Sequence, residues 1–166
     1  MTSDHLYAVG TRLMDDAEPS GSDYKADAFL YRDGLIIALL AVAPLRRSTL
    51  AALRVGEHLL KSGDLWVLEI PAKDMKTRQS LDFLLSRPLS ARIDRYLAEF
   101  RDAIPGATKH TGLWPSNVKH PIFASVMGAV LDEVVGPDVI AALRPQPNAR
   151  SIGQRACRAW AAYGGP

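Results

Sequence analysis

Cysteine is nearly absent. Cys157 stands alone in 166 residues, which excludes an internal disulfide framework and a cysteine-rich zinc site. Long apolar runs are missing too. The longest, Leu35–Leu45, is interrupted by Pro44 and falls far short of the ~20 residues a bilayer span needs. The opening MTSDHLYAVG has no basic n-region, so no secretory signal is read there. These absences predict a cytoplasmic protein with no membrane role. No GxGxxG, GxxxxGK[ST] or GxSxG occurs, which leaves nucleotide-loop and hydrolase-elbow chemistry unsupported. HExxH and CxxC are also missing, and His5, His58, His110 and His120 have no paired carboxylates at ligand spacing. The expectation is therefore no metal, no cofactor and no nucleotide.

What remains is ordinary globular material. Apolar residues make up 48% and charged residues 23% of the chain, enough to bury one core and too apolar for a disordered chain. The net charge of +2 conceals an uneven distribution. Residues 1–33 carry three basic and seven acidic side chains, whereas residues 45–101 carry eleven basic and seven acidic. The central cations cluster at Arg46-Arg47, Arg54 and Lys73-Lys76-Arg78. A local excess of this kind suits a phosphate-binding face, and equally a solvated surface of mixed charge.

The periodicity changes twice along the chain. Leu6, Val9, Leu13 and Met14 predict a first helix, capped at Ser3-Asp4. Residues 15–25 read as an acidic loop. Phe29, Leu30, Leu35, Ile36, Leu39 and Leu40 predict a helix buried on most sides and interrupted at Pro44, with Asp33-Gly34 outside the pattern. Leu45, Thr49, Leu50 and Leu53 predict a further helix. Glu57–Lys61, Ser62-Gly63-Asp64 and Leu65–Ile70 then read as a hairpin, with a third strand over Gln79–Leu84. Ser86 and Pro88 open a helix whose face is Leu89, Ile93, Leu97 and Phe100, ended by Ile104-Pro105-Gly106. Residues 105–121 read as loop, and a last helix is expected from Pro121. The fold class is mainly α with a small three-stranded antiparallel sheet. Residues 1–140 are taken as the domain, and 141–166 as an Ala/Arg-rich tail not forced into a packed element.

Two segments carry possible chemistry. In the first, Arg46-Arg47 stands at a helix start, where free N–H groups and a guanidinium can hold a phosphate. In the second, Lys73 sits on a turn between two strands, which projects a cation outward. An arginine on phosphate oxygens and a lysine at a leaving oxygen suit metal-free transesterification. The bland alternatives are a surface arginine at a helix start and an ordinary turn lysine.

Pro44-Leu45-Arg46-Arg47-Ser48-Thr49-Leu50-Ala51-Ala52-Leu53 resembles the G-L-R-x-S-E-L-x-x-L box of tyrosine recombinases, the phage-integrase family. Lys73-Asp74-Met75-Lys76-Thr77-Arg78 resembles that family's hairpin-turn pattern K-T-x-K-x-R-x-x-P-L. The resemblance spans roughly residues 6–135. It implies a tyrosine-recombinase-like catalytic domain that exchanges DNA strands through a phosphotyrosyl intermediate, without metal or nucleotide. It also implies duplex DNA as partner and self-association into the tetramer the family forms on DNA. By the same resemblance Arg46 would bind the scissile phosphate and Lys73 would protonate the leaving 5′ oxygen. Arg47, Lys76 and Arg78 are the further DNA-binding candidates.

The sequence departs from the family in four places. Pro44 replaces a glycine, and Thr49 replaces an acidic residue. No histidine precedes an arginine by three positions anywhere in the chain, so the H-x-x-R box is missing. Its nearest trace is Pro147-Asn148-Ala149-Arg150, and Tyr163 follows that arginine by thirteen residues, about half the family's interval to its nucleophile. The expectation is a truncated or frameshifted catalytic domain, inactive alone. A non-catalytic DNA-binding module and a protein-interaction domain stand as alternatives.

Overall fold

The computed structural model describes residues 3–19, 23–43, 45–75, 78–109 and 111–115. The described residues are mainly helical and include one three-stranded antiparallel sheet. The expected helix from Pro121 and the 141–166 tail lie outside them.

Helix α1 (Ser3–Asp16) packs on helix α2 (Tyr24–Val42). The carboxylate of Asp23 caps α2 by accepting the Ala26 N–H at 3.2 Å. Leu35 through Leu40 are all buried, as a helix apolar on every side requires. Asp33 and Gly34, set apart by the sequence pattern, lie within α2. The carboxylate of Asp33 holds the buried Arg32 guanidinium at 2.6 Å, and Gly34 lets α1 approach. A Cβ on Gly34 would stand 2.6 Å from the Gly10 carbonyl oxygen.

Helix α3 (Arg47–Ala51) is a single short turn after the break. The hairpin follows as β1 (Leu59–Ser62) and β2 (Leu65–Ile70), with Gly63 at φ 57 in its turn, a backbone conformation glycine adopts freely. Strand β3 (Leu81–Leu84) completes the order β1-β2-β3, with Leu59 opposite Leu68 and Leu68 opposite Phe83. Alternation along β2 buries Trp66, Leu68 and Ile70.

Helix α4 (Arg87–Arg95) begins after Ser86, with Pro88 in its first turn. The Ser86 hydroxyl makes no cap bond; its carbonyl accepts the Ser90 N–H at 2.8 Å. The helix continues as a π turn, Tyr96–Phe100, and a 3-10 turn, Arg101–Ala103. Tyr96 rather than Leu97 is fully buried beside Phe100, because Leu89, Ile93, Tyr96 and Phe100 stand at i, i+4, i+7 and i+11 and keep to one helical face. The sheet is locked to α4 by polar contacts: the Ser90 hydroxyl accepts the Trp66 N–H at 3.0 Å, and Asp94 accepts the Trp66 indole N–H at 2.9 Å.

The expected loop beyond Pro105 is in part core. Leu113 and Trp114 are fully buried, and Leu113 N–H bonds the Leu53 carbonyl at 2.8 Å. Their apolar side chains are too few and too close together to leave a periodic trace, which is why the pattern missed them. Among the described residues no helix is long and apolar enough to cross a membrane.

Candidate functional site

Arg46 is the residue just before α3, extended at φ −70 and ψ 148, and exposed. Its carbonyl accepts the Leu50 N–H at 2.8 Å, the first helical bond. An arginine side chain has no acceptor, so it adds no cap bond. Arg47 opens the helix and is also exposed. Buried Leu45, Leu50 and Leu53 pin this segment to the core. With only five residues, α3 has a small dipole, and the positive charge here belongs to the guanidinium groups rather than to a helix terminus. The helix start expected at Arg46-Arg47 is where α3 begins.

Lys73 sits in the middle of a 3-10 turn, Ala72–Asp74, directly after β2 and Pro71. The turn closes with Asp74 N–H on the Pro71 carbonyl at 2.9 Å and Met75 N–H on the Ala72 carbonyl at 3.2 Å. Its side chain is exposed, as a lysine on a turn beyond a strand end should be. Arg78 follows with φ 52, a left-handed conformation that is uncommon for a residue with a Cβ. Lys76 lies outside the described residues.

Two open clefts meet at Lys73. One, of about 340 Å³, is lined by Ala72, Lys73, Met75 and Arg78. The other, of about 390 Å³, puts Ser48 and Thr49 of α3 on one wall and Lys73 and Asp74 on another, with Arg54 and His58 also at its lining. Lys73 is thus brought together with Arg78 on one side and with the α3 helix on the other. Arg46 and Arg47 stand at the start of that helix and line neither cleft.

The cations of residues 45–101 divide into two groups. Arg54, Lys61, Arg87, Arg92, Arg95 and Arg101 each lie within 4 Å of a carboxylate. Among the described residues, Arg46, Arg47, Lys73 and Arg78 have no such partner, and all four are exposed. Within residues 45–101 the cations without a carboxylate among the described residues therefore fall on the start of α3 and on the segment after β2, while Arg12 of α1 and Lys25 of α2 are exposed and likewise have no such partner there.

Two residues that the sequence reading passed over also belong to this region. His58 is buried in the loop before β1, with Nε2 3.5 Å from Asp74 Oδ2. Neither stands at a motif spacing, and only the antiparallel pairing of β1 with β2 brings them together. The buried tyrosines are elsewhere. Burial pushes Tyr31 up to about 12 and raises Tyr96 as well, so neither offers a phenolate near neutral pH. Arg150 and Tyr163 lie outside the described residues.

Comparison with protein-family models, curated proteins and solved structures finds no match.

Proposed function

We propose that this chain is a DNA strand-exchange domain of the tyrosine recombinase class that binds duplex DNA and does not cleave it unaided. The observation that carries the reading is the division of cations over residues 45–101: the four that have no carboxylate partner among the described residues are four of the five that the family resemblance assigns to phosphate. Self-repulsion makes such uncompensated charge costly for the isolated fold, and a polyanion relieves it.

In this reading the Arg46 guanidinium holds non-bridging oxygens of one phosphate in its two-pronged geometry. The Lys73 ammonium stands where a leaving 5′ oxygen would take up a proton. Arg47, Lys76 and Arg78 neutralise neighbouring phosphates. Because no H-x-x-R occurs in the chain, the second phosphate-binding arginine and its histidine are missing, and what is left orients a phosphate without completing cleavage. The same gap favours a second reading, a purely DNA-binding module.

The test is duplex affinity against salt. Both readings predict binding in the micromolar range typical of non-specific contacts, with log K falling by about 0.9 per neutralised phosphate as log salt rises. K73A and R46A should each lower that slope by about 0.9, and R54A, whose guanidinium is held by Glu57 at 2.9 Å, should not. No affinity for duplex DNA, or affinity indifferent to salt, refutes the proposal. A covalent adduct on a nicked suicide duplex refutes the statement that the chain does not cleave.

A further inference from the structure

A phosphate-binding face gains nothing from a carboxylate beside its central lysine, yet Asp74 follows Lys73 directly in the same three-residue turn. Its partner is a histidine that the function above leaves unused. His58 is 7% exposed. Its Nδ1 accepts the Arg54 N–H at 3.2 Å, which assigns the ring proton to Nε2, the nitrogen facing Asp74 Oδ2 at 3.5 Å. Its own carbonyl accepts the Glu69 N–H at 2.8 Å, tying it to the end of β2. The ring is held at Nδ1 by the Arg54 backbone N–H, and its Nε2 lies on the side of the Lys73 turn, 3.5 Å from the Asp74 carboxylate. That turn, in contrast, is closed among the described residues by two backbone bonds, at 2.9 and 3.2 Å. The other charged groups at the cleft, Arg54 and Glu57, pair with each other.

We infer that His58 and Asp74 are a positioning pair: the imidazole holds the Asp74 carboxylate and thereby sets the turn that presents Lys73 to a phosphate bound beside α3. The role given to Lys73 rests on the function proposed above; the locking of the turn does not.

The full-length chain is compared as wild type, D74A and D74N. Asp74 is partly exposed, so neither substitution opens a core cavity. The asparagine keeps an oxygen acceptor for the His58 Nε2–H, and the alanine does not. Amide hydrogen exchange reads the turn without DNA. D74A should speed exchange at Met75 by about tenfold or more, with the β2 amides unchanged, and D74N should stay near wild type. Duplex affinity reads the consequence. A carboxylate that merely repels phosphate predicts tighter binding for D74A and D74N alike. The positioning pair predicts that D74A weakens binding by about three- to fivefold, the size of one exposed cation contact, and that K73A then adds no further loss. D74N should bind at least as well as wild type. Unchanged Met75 exchange in D74A overturns the pair, whatever DNA does. Tighter binding by D74A overturns its role in presenting Lys73. Wild-type protein with no affinity for DNA refutes the proposed function instead, and the exchange result still decides the pair.

Discussion

The indole N–H of Trp114 donates to the Leu50 carbonyl at 2.8 Å, from a side chain with no solvent exposure. This contact joins the far end of the described chain to α3, the short helix that begins beside Arg46. A five-residue helix cannot hold its own geometry in water, so its placement depends on such tertiary ties. W114A should cost about 3–5 kcal/mol in denaturant unfolding, the usual loss for a large buried aromatic. W114F keeps most of the volume and loses the donor, and should cost about 1–2 kcal/mol. A W114F variant as stable as wild type would mean that the hydrogen bond contributes nothing.

Helices α1 and α2 cross where neither carries a side chain. A Cβ on Gly34 would meet the Gly10 carbonyl oxygen at 2.6 Å, and one on Gly10 would meet the Gly34 carbonyl oxygen at the same distance. Both obstacles are backbone, so the helices must move apart to admit a methyl group. G34A should therefore destabilise the fold by about 1–3 kcal/mol despite the better helix propensity of alanine. A stabilised G34A in chemical denaturation would contradict this packing.

Alkaline stability should be governed by buried phenols. Tyr31 stacks on Phe100 at 4.3 Å, donates to the Arg92 carbonyl at 3.0 Å, and is pushed by burial up to about 12. Below pH 10 the phenol is protonated in both folded and unfolded chains, and its full contribution is present. Between pH 10 and 12 the unfolded chain releases the proton first, so stability falls as pH rises through that window. Thermal midpoints measured across it should drop more steeply for wild type than for Y31F. Parallel curves would exclude Tyr31 as a source of the drop.

The sequence was most legible where one period held over a whole element. The buried run of α2 and the alternation of β2 each announced their partner faces, and Gly63 marked the hairpin turn. Prediction failed where long-range contact overrode local pattern. Gly34 looked like a break because its reason for being in a helix is Gly10, far away in the chain. Leu113 and Trp114 looked like loop because two adjacent apolar residues have no period. At the candidate site, Arg46, Lys73 and Arg78 were identifiable as exposed cations. What could not be read was which cations already had carboxylates: Arg54 was grouped with them and proves to be held by Glu57. His58 and Asp74 were invisible as a pair because strand register alone makes them neighbours.

The central claim is that the start of α3 and the turn after β2 act on DNA as one surface. Amide shift changes during titration with a short duplex, followed residue by residue at low salt, test it most directly. The account predicts that residues 46–49 and 72–78 shift together along one saturation curve, while the acidic α1 stays still. Shifts confined to one of these segments, or centred on α1, would contradict it.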